Sequence, residues 1–126
     1  MERPGFRHGF QPLAWERAKE EARAIMYEIA GKKRTICYSE LVARIGSISL
    51  EAHDPRLDHF LGEIAIEDDD AGLGLTTVVV VHKTGDQLPG PGFFNMAESQ
   101  GREFSDPVAF WSDELNGVQA YWSARR

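Results

Sequence analysis

Metal-dependent catalysis needs particular residue types at particular spacings, and this 126-residue chain offers no clear set of them. A magnesium-dependent nuclease uses an Asp and a Glu-x-Lys placed together to hold the ion and activate water, but the most β-prone segment, residues 75–83, contains no carboxylate. The acidic run Asp68–Asp70 resembles a calcium-binding loop only at its start, because the twelfth residue of that loop is Val79 instead of a glutamate. The sequence therefore predicts no catalytic residues, no metal ion and no cofactor.

Several basic and imidazole side chains have the chemistry needed to bind a nucleic acid, because they donate hydrogen bonds to phosphate oxygens and base edges. Two of them share a predicted helix with Asp58 and Glu63, which would repel a phosphate backbone. A typical recognition helix carries more positive charge than this one. The predicted nucleic-acid-binding residues are Arg44, Arg56, His59, His82 and Lys83.

Aromatic residues in the last third of the chain support a second hypothesis, a protein-interaction module that forms a homodimer. A predicted helix at Pro107–Trp122 carries two apolar stripes about 80–100° apart around its axis. Burial of both stripes within the monomer is the alternative. The predicted interface residues are Phe93, Phe94, Phe110, Gly117 and Tyr121.

A third hypothesis places an anion-binding or small enzymatic site at His82, Lys83 and the Pro89–Gly92 loop, whose amides precede a predicted helix. The glycines of this loop match no known phosphate-binding motif. Cys37 has basic neighbours that favour a reactive thiolate, but a cysteine in a short strand is more often a small buried hydrophobic residue. The sequence therefore favours a binding module that is not an enzyme.

Apolar periodicity and capping residues predict the elements that position these side chains. The pair Asp54-Pro55 is a helix start, in which the aspartate caps the helix and the proline begins it. Residues 75–83 are rich in valine and threonine, which predicts a central strand covered on both faces, followed by a turn at 84–86 and a short returning strand. The predicted helices are Leu13–Ala30, Ser39–Ile45, Pro55–Ile66, Phe93–Gln100 and Pro107–Trp122.

This order, in which two helices precede a strand, a turn and a short strand, is that of a winged helix. We therefore predict an α/β fold of winged-helix-like type, with helices packed on a small β-sheet or hairpin, in a single domain at residues 13–126. Residues 1–12 are expected to form an N-terminal arm. In such a fold the helix at Pro55–Ile66 presents its polar face to the major groove of DNA.

Two motifs, YSELVARIG at Tyr38–Gly46 and VVVHKTG at Val79–Gly85, flank an amphipathic helix. With that helix they resemble the C-terminal DNA-binding domain of O6-alkylguanine-DNA alkyltransferases and alkyltransferase-like proteins. The resemblance implies a winged-helix DNA-binding domain. Where that family has a Pro-Cys-His-Arg segment with the nucleophilic cysteine, this chain has Thr76-Thr77-Val78-Val79. Cys37 lies elsewhere in the pattern, so the resemblance does not extend to transfer of a methyl group.

Four segments spread over most of the chain carry a second resemblance: Tyr38–Leu41, Val80–Lys83, Pro91–Phe94 and Val118–Trp122. In these the chain is similar to small, mostly uncharacterised bacterial domains that occur alone or beside restriction and phage-defence nucleases. This resemblance implies a nucleic-acid-associated or defence-associated accessory module. It supplies no catalytic residues.

The composition is that of an ordinary globular protein, with 42% hydrophobic and 27% charged residues. The net charge of −6 opposes nonspecific binding to a polyanion, and residues 60–72 contain five acids and no base, for which we expect a solvated helix end and loop. A single cysteine excludes an internal disulfide, and no apolar run is long enough to cross a membrane. We expect a cytoplasmic protein that binds double-stranded DNA or another protein, including a second copy, and not a membrane.

Overall fold

A computed structural model describes residues 9–125, in which five α-helices surround a 3₁₀ helix and two short strands. All five predicted helices are present, with ends that differ from the predictions by at most a few residues. Most of the predicted N-terminal arm lies outside the described residues. The elements are α1 (Pro12–Gly31), β1 (Ile36–Cys37), α2 (Tyr38–Arg44), α3 (Pro55–Asp70), the 3₁₀ helix (Thr76–Val79), β2 (Val80–Val81), α4 (Pro91–Ser99) and α5 (Pro107–Ser123).

Prolines and aspartates explain where four of these helices begin. Asp54 accepts a hydrogen bond from the backbone N–H of Arg56, and Asp106 accepts from those of Val108 and Ala109. Each bond satisfies a donor that has no partner inside the helix. A backbone N–H in the first turn of a helix has no partner within the helix, so the N–H that proline lacks is not missed there. The four prolines are Pro12, Pro55, Pro91 and Pro107.

The predicted strand at Leu75–Lys83 is wrong for most of its length. The segment forms the 3₁₀ helix, and only β2 pairs with another strand, parallel to β1. The run is buried against α1, α3 and α5 with a single strand beside it, so a longer strand would leave buried N–H and C=O groups without partners. The 3₁₀ turn satisfies part of its own backbone, and Trp111 Nε1 donates to the Val78 carbonyl at 3.0 Å.

The returning strand expected after β2 is absent from the described chain. Instead, the turn has positive φ at Gly85 (75°) and Gln87 (54°), and one backbone hydrogen bond joins His82 N to the Leu88 carbonyl at 2.9 Å. The two-stranded sheet is parallel, whereas a wing is an antiparallel hairpin. The fold is therefore a helix-rich mixed α/β arrangement, and its assignment as a winged helix stays a prediction.

One hydrophobic cluster takes residues from all five helices, from the 3₁₀ helix and from both strands. Trp15 and Phe60 meet edge to face within it, with ring centroids 5.1 Å apart, so the starts of α1 and α3 lie side by side. Between residues 9 and 125 no helix is both long and apolar enough to span a membrane. The residues of α3 predicted to face the core are all buried: Leu57, Phe60, Leu61, Ile64 and Ala65.

Candidate nucleic-acid interface

A cleft of about 180 Å³ lies where the start of α3 faces the chain that leaves β2. Its walls come from the beginning of α2, the segment before α3 and the beginning of α4. A cleft this small holds a single polar group from a larger partner instead of enclosing a ligand. Its polar side chains are Tyr38, His53, Asp54, Asp58 and His82.

Tyr38 joins α2 to the loop before α4 and positions His82. The Tyr38 hydroxyl accepts a hydrogen bond from the Gly90 backbone N–H at 2.9 Å, and the two rings of Tyr38 and His82 lie 5.3 Å apart. Burial raises the pKa of Tyr38, although the bond from Gly90 acts in the opposite direction. Tyr38 is therefore a neutral phenol at pH 7, and its ring lies beside the imidazole of His82.

Arg56 projects from the first turn of α3, where its guanidinium is held on two sides. Nε and Nη2 donate to the Asp54 carboxylate at 3.1 and 2.8 Å, and the guanidinium carbon lies 4.7 Å from the centroid of the Phe10 ring. Hydrogen bonds from the Arg56 side chain and backbone lower the pKa of Asp54 to about 2. Since 42% of the Arg56 side chain is exposed, its guanidinium is accessible to a phosphate at this surface.

The side chain of Asp58, a residue of α3, lies beside the first turn of α4, where the third hypothesis placed an external anion. A Cβ built on Gly92 would be 2.9 Å from a carboxylate oxygen of Asp58, so the glycine allows the carboxylate to approach the first turn of α4. Negative charge is favourable at the N-terminus of a helix. The other glycine of the loop, Gly90, already donates its N–H to Tyr38. The chain therefore uses both glycines internally, and Asp58 has a favourable environment of its own.

The acidic second half of α3 faces α1, so the expected solvated helix end is confirmed only in part: Glu67 and Asp70 are exposed, whereas Asp68 is buried. Glu63 accepts hydrogen bonds from Trp15 Nε1 at 2.9 Å and from Lys19 Nζ at 3.1 Å. Lys19 also donates to Glu67 at 2.9 Å, and its side chain is almost fully buried. Burial alone would lower the pKa of Lys19, but the hydrogen bonds to Glu67 and two further glutamates outweigh burial and raise it.

Asp68 is buried near the end of α3 and connects that helix to α1 and to the 3₁₀ helix. Its carboxylate accepts hydrogen bonds from Arg23 Nε at 3.0 Å, from the Tyr27 hydroxyl at 2.7 Å and from Thr76 Oγ1 at 2.5 Å. Three donors satisfy a charge that would be costly to bury alone. α3 therefore continues past the predicted end, because its acidic residues have partners within the chain.

Two more ion pairs, of Asp69 with Arg102 and of Glu67 with Arg23, offset part of the negative charge of this run. Asp69 accepts hydrogen bonds from Arg102 at 2.6 and 3.0 Å, and these bonds lower the pKa of Asp69. Burial alone would raise the pKa of Glu67, but hydrogen bonds from Lys19 and Arg23 outweigh burial and lower it. The negative charge of residues 63–69 is therefore directed toward cations of the same chain.

The other predicted binding residues lie on different elements around the cleft. His59 is exposed one turn beyond Arg56 on α3, and Lys83 is exposed in the chain that leaves β2. Arg44 is half exposed at the end of α2 opposite to the cleft, where it pairs with Glu40 at 3.4 Å. The structure thus places four of the five predicted residues in or beside the cleft and Arg44 further away.

The aromatic residues predicted to form a dimer interface pack largely against one another. The ring centroids of Phe93 and Phe94 are 5.3 Å apart, and Phe110 lies 6.2 Å from Phe93. Phe104 stacks on Phe110 at 4.5 Å and closes this cluster. Gly117 differs from the rest, since it is exposed on α5 and no atom lies within 4 Å of its Cβ position.

Tyr121, the last predicted interface residue, also has partners within the chain. The guanidinium carbon of Arg125 lies 3.4 Å from the centroid of its ring, and Trp122 packs against it edge to face at 5.0 Å. Beside Tyr121, an open groove of about 270 Å³ runs between α5 and the loop at 72–74. This groove is the part of the predicted interface that is not already covered.

A nucleophile could be sought at two positions, Cys37 and Thr77. The Cys37 thiol is partly exposed 3.4 Å from Ser39 Oγ, and the bonds from Ser39 and from the Glu40 backbone lower its pKa. Thr77 is 4% exposed and lines, together with Tyr38, a cavity of about 20 Å³. Within the described part of the chain, no three metal-ligating side chains come together.

Sequence reasoning did not identify Tyr38 and His53 as residues of the cleft, or Lys19 and Arg23 as partners of the acidic run. A signal for the two cations exists in the sequence. They lie four residues apart on α1, each directly after an alanine of the apolar stripe, and Glu63 lies four residues before Glu67 on α3. Because the two cations on α1 and the two glutamates on α3 have the same four-residue spacing, they can pair when the two helices lie side by side.

The chain matches no protein-family model, no curated protein and no solved structure.

Proposed function

We propose that this chain is a non-enzymatic module that binds duplex DNA through the first half of α3 and the residues that follow β2. The orientation of the α3 carboxylates supports this proposal best. Glu63 and Glu67 pair with Lys19, and Asp58 lies at the start of α4. Of the two carboxylates that argued against a recognition helix, Glu63 is thus paired within the chain, and Asp58 remains exposed at the cleft beside the first turn of α4.

The exposed face at the start of α3 has the geometry of a contact surface for DNA. Arg56 and His59 lie three residues apart, so their side chains are neighbours on the helix surface. The dipole makes this end of α3 positive. With α3 in the major groove, Arg56 donates to a guanine or a phosphate, and Lys83 contacts a phosphate across the cleft. Arg44 adds a phosphate contact beyond α2.

The resemblance to alkyltransferase-like proteins supports a winged-helix-like mode of binding without alkyl transfer. Thr77 stands where that resemblance places the nucleophilic cysteine, and a buried hydroxyl is a much weaker nucleophile than a thiolate. Cys37 is on the other side of the sheet pairing, at the start of α2. We therefore expect recognition of DNA, of the kind that serves a nuclease or defence system, and no chemistry on it.

Duplex binding measured by fluorescence anisotropy at several salt concentrations tests this function. Each phosphate contact contributes about 0.9 to the slope of log K against log salt, so Arg56→Ala and Lys83→Ala each reduce the slope by about 1. Asp54 still accepts from the backbone N–H of residue 56 in the first variant, so the helix cap remains. Lys32→Ala and Arg125→Ala are the matched controls, because they remove the same charge beyond the ends of α1 and α5.

Binding that is absent at low salt, or equally weakened by all four variants, would contradict the proposal. In the second case the interaction would depend on total charge and not on this surface. Circular dichroism of each variant confirms that the fold is intact before its affinity is compared.

The uncovered groove beside Tyr121 leaves the homodimer as a second candidate function. Its glycine-lined floor, which includes Gly117, allows a second chain to approach α5 closely. Light scattering after size exclusion would then show a dimer that Tyr121→Ala dissociates. A monomer at high protein concentration would exclude this candidate.

A further inference from the structure

Two of the four histidines in the chain line the cleft, and both are exposed. His53 belongs to the segment before α3, and His82 to the segment after β2. The ring of His82 lies beside that of Tyr38, with centroids 5.3 Å apart, and its Nε2 lies 3.5 Å from the Cβ position of Gly90. Imidazole is the side chain whose charge changes between about pH 5 and pH 8. The cleft therefore contains two groups able to alter its charge near neutral pH.

The fixed charges around these imidazoles are few. Asp54 and Asp58 line the cleft, and Arg56 is bound to Asp54. With neutral imidazoles these three groups have a formal charge of −1, and with two imidazolium ions the sum becomes +1. Outside the cleft, Glu51, whose carboxylate is 3.2 Å from His53 Nε2, and Asp86 are acidic and Lys83, next to His82, is basic, so these neighbours add a formal charge of −1.

The pKa shifts of Asp54 and Tyr38 keep the charge of both groups constant over this range. The pKa of Asp54 is held at about 2, so its carboxylate is ionised throughout. Tyr38, on α2, is a neutral phenol at these pH values. Asp86, in the turn after Lys83, accepts a hydrogen bond from the Leu88 N–H. Cys37, on β1, lies on the strand paired with the one that precedes His82.

We propose that protonation of His53 and His82 turns the cleft into a binding site for a phosphate of the DNA backbone, so that DNA affinity rises as the pH falls through the imidazole range. This inference rests on the proposed function and adds regulation to it. The physical reason is the change of charge: the lining groups repel a phosphate at −1 and attract it at +1, and with Glu51, Asp86 and Lys83 included the sum rises from −2 to 0. Both imidazolium rings also become double donors, which suits an anion.

Titration calorimetry of a DNA duplex in two buffers of different ionisation enthalpy measures the protons taken up on binding. For the full chain we expect about one to two protons per complex near pH 6.5, about tenfold tighter binding at pH 5.5 than at pH 7.5, and a salt slope steeper by about 1 at the lower pH. The double variant His53→Gln/His82→Gln should lose the proton uptake and the change in slope. Lys83→Gln is the control, since it removes a fixed charge and should weaken binding equally at both pH values.

The outcomes separate this inference from the proposed function. Binding whose proton uptake is the same in the double variant overturns the inference and leaves the proposed function intact. Binding that is absent at both pH values in the folded protein overturns both. Circular dichroism at the two pH values shows whether the fold is retained, and the single variants His53→Gln and His82→Gln provide the same test if the double variant does not fold.

Discussion

At the scale of single residues, the least expected feature is a set of buried charges between α1 and α3. Lys19 is 1% exposed, although lysine is seldom fully buried. The carboxylates beside it are only partly buried, with 33% of the Glu63 side chain and 49% of the Glu67 side chain exposed. The network therefore combines a buried cation with carboxylates that remain in contact with solvent, which reduces the desolvation cost of the ion pairs.

Asp68 is the residue of this network whose loss should cost most. Asp68→Ala leaves Arg23, Tyr27 and Thr76 without their common acceptor in a buried place, and breaking such a pair costs about 3–5 kcal/mol of the free energy of unfolding. Asp70→Ala, an exposed change in the same acidic run, should stay within about 0.5 kcal/mol. Urea denaturation of the two variants checks this, and equal losses would show that the network contributes little.

At the scale of elements, local signals account for the helices and long-range contacts account for the rest. Asp54 and Asp106 cap α3 and α5 as the sequence predicts. The 3₁₀ helix, in contrast, is a run of β-branched residues that took no extended form, because only one short strand lies beside it. β-propensity describes the fit to a neighbouring strand more than an intrinsic preference of the backbone.

The cap of α5 provides a test of local helix stability. Asp106→Ala removes the acceptor of the Val108 and Ala109 N–H groups and should cost about 1 kcal/mol of the free energy of unfolding, with faster amide exchange in the first turn. Asp113→Ala, an exposed change in the middle of the same helix, is the control. Equal amide exchange rates of the two variants in the first turn of α5 would show that the Asp106 cap does not stabilise that turn.

Two glycines beside the α5 groove should respond in opposite directions to alanine. Gly117 lies inside α5 with open space around its Cβ position, so Gly117→Ala should stabilise the monomer by about 0.5–1 kcal/mol. Gly74 has a φ of 80° and its Cβ position lies 3.1 Å from Glu114, so Gly74→Ala should destabilise. Urea midpoints measure both, and destabilisation by Gly117→Ala would point to a packing role for that glycine, as the homodimer requires.

At the scale of the whole molecule, the net charge of −6 is distributed unevenly. The acidic residues of α3 are directed to the cations of α1 and to Arg102, and the start of α3 carries Arg56 and His59. A negative total therefore coexists with a local surface able to contact an anion. This separation is what the proposed DNA binding depends on.

The same ion pairs predict how stability depends on pH. The pKa values of Glu67 and Asp69 are lowered in the folded chain, so their contribution to stability is fully present above their ordinary values of 4.5 and 3.8 and is lost as the pH falls through the folded values. The melting temperature should therefore decrease as the pH is lowered below about 4.5. Glu67→Gln should be less stable at neutral pH and lose less on acidification, whereas Glu98→Gln, exposed on α4, should follow the parent chain.

The sequence by itself determined the helices, their capped starts and the inward face of α3, because these depend on residues within a few positions of one another. Of the candidate site it identified His82, Lys83, Arg56 and His59, since their side-chain chemistry is evident without a fold. Only the tertiary structure decided that residues 75–79 are not a strand, that the acidic run is paired, and that His53 and His82 line one cleft. Each of these depends on contacts between residues far apart in the chain, and no local pattern encodes which distant partner will be present to satisfy a buried backbone group or charge.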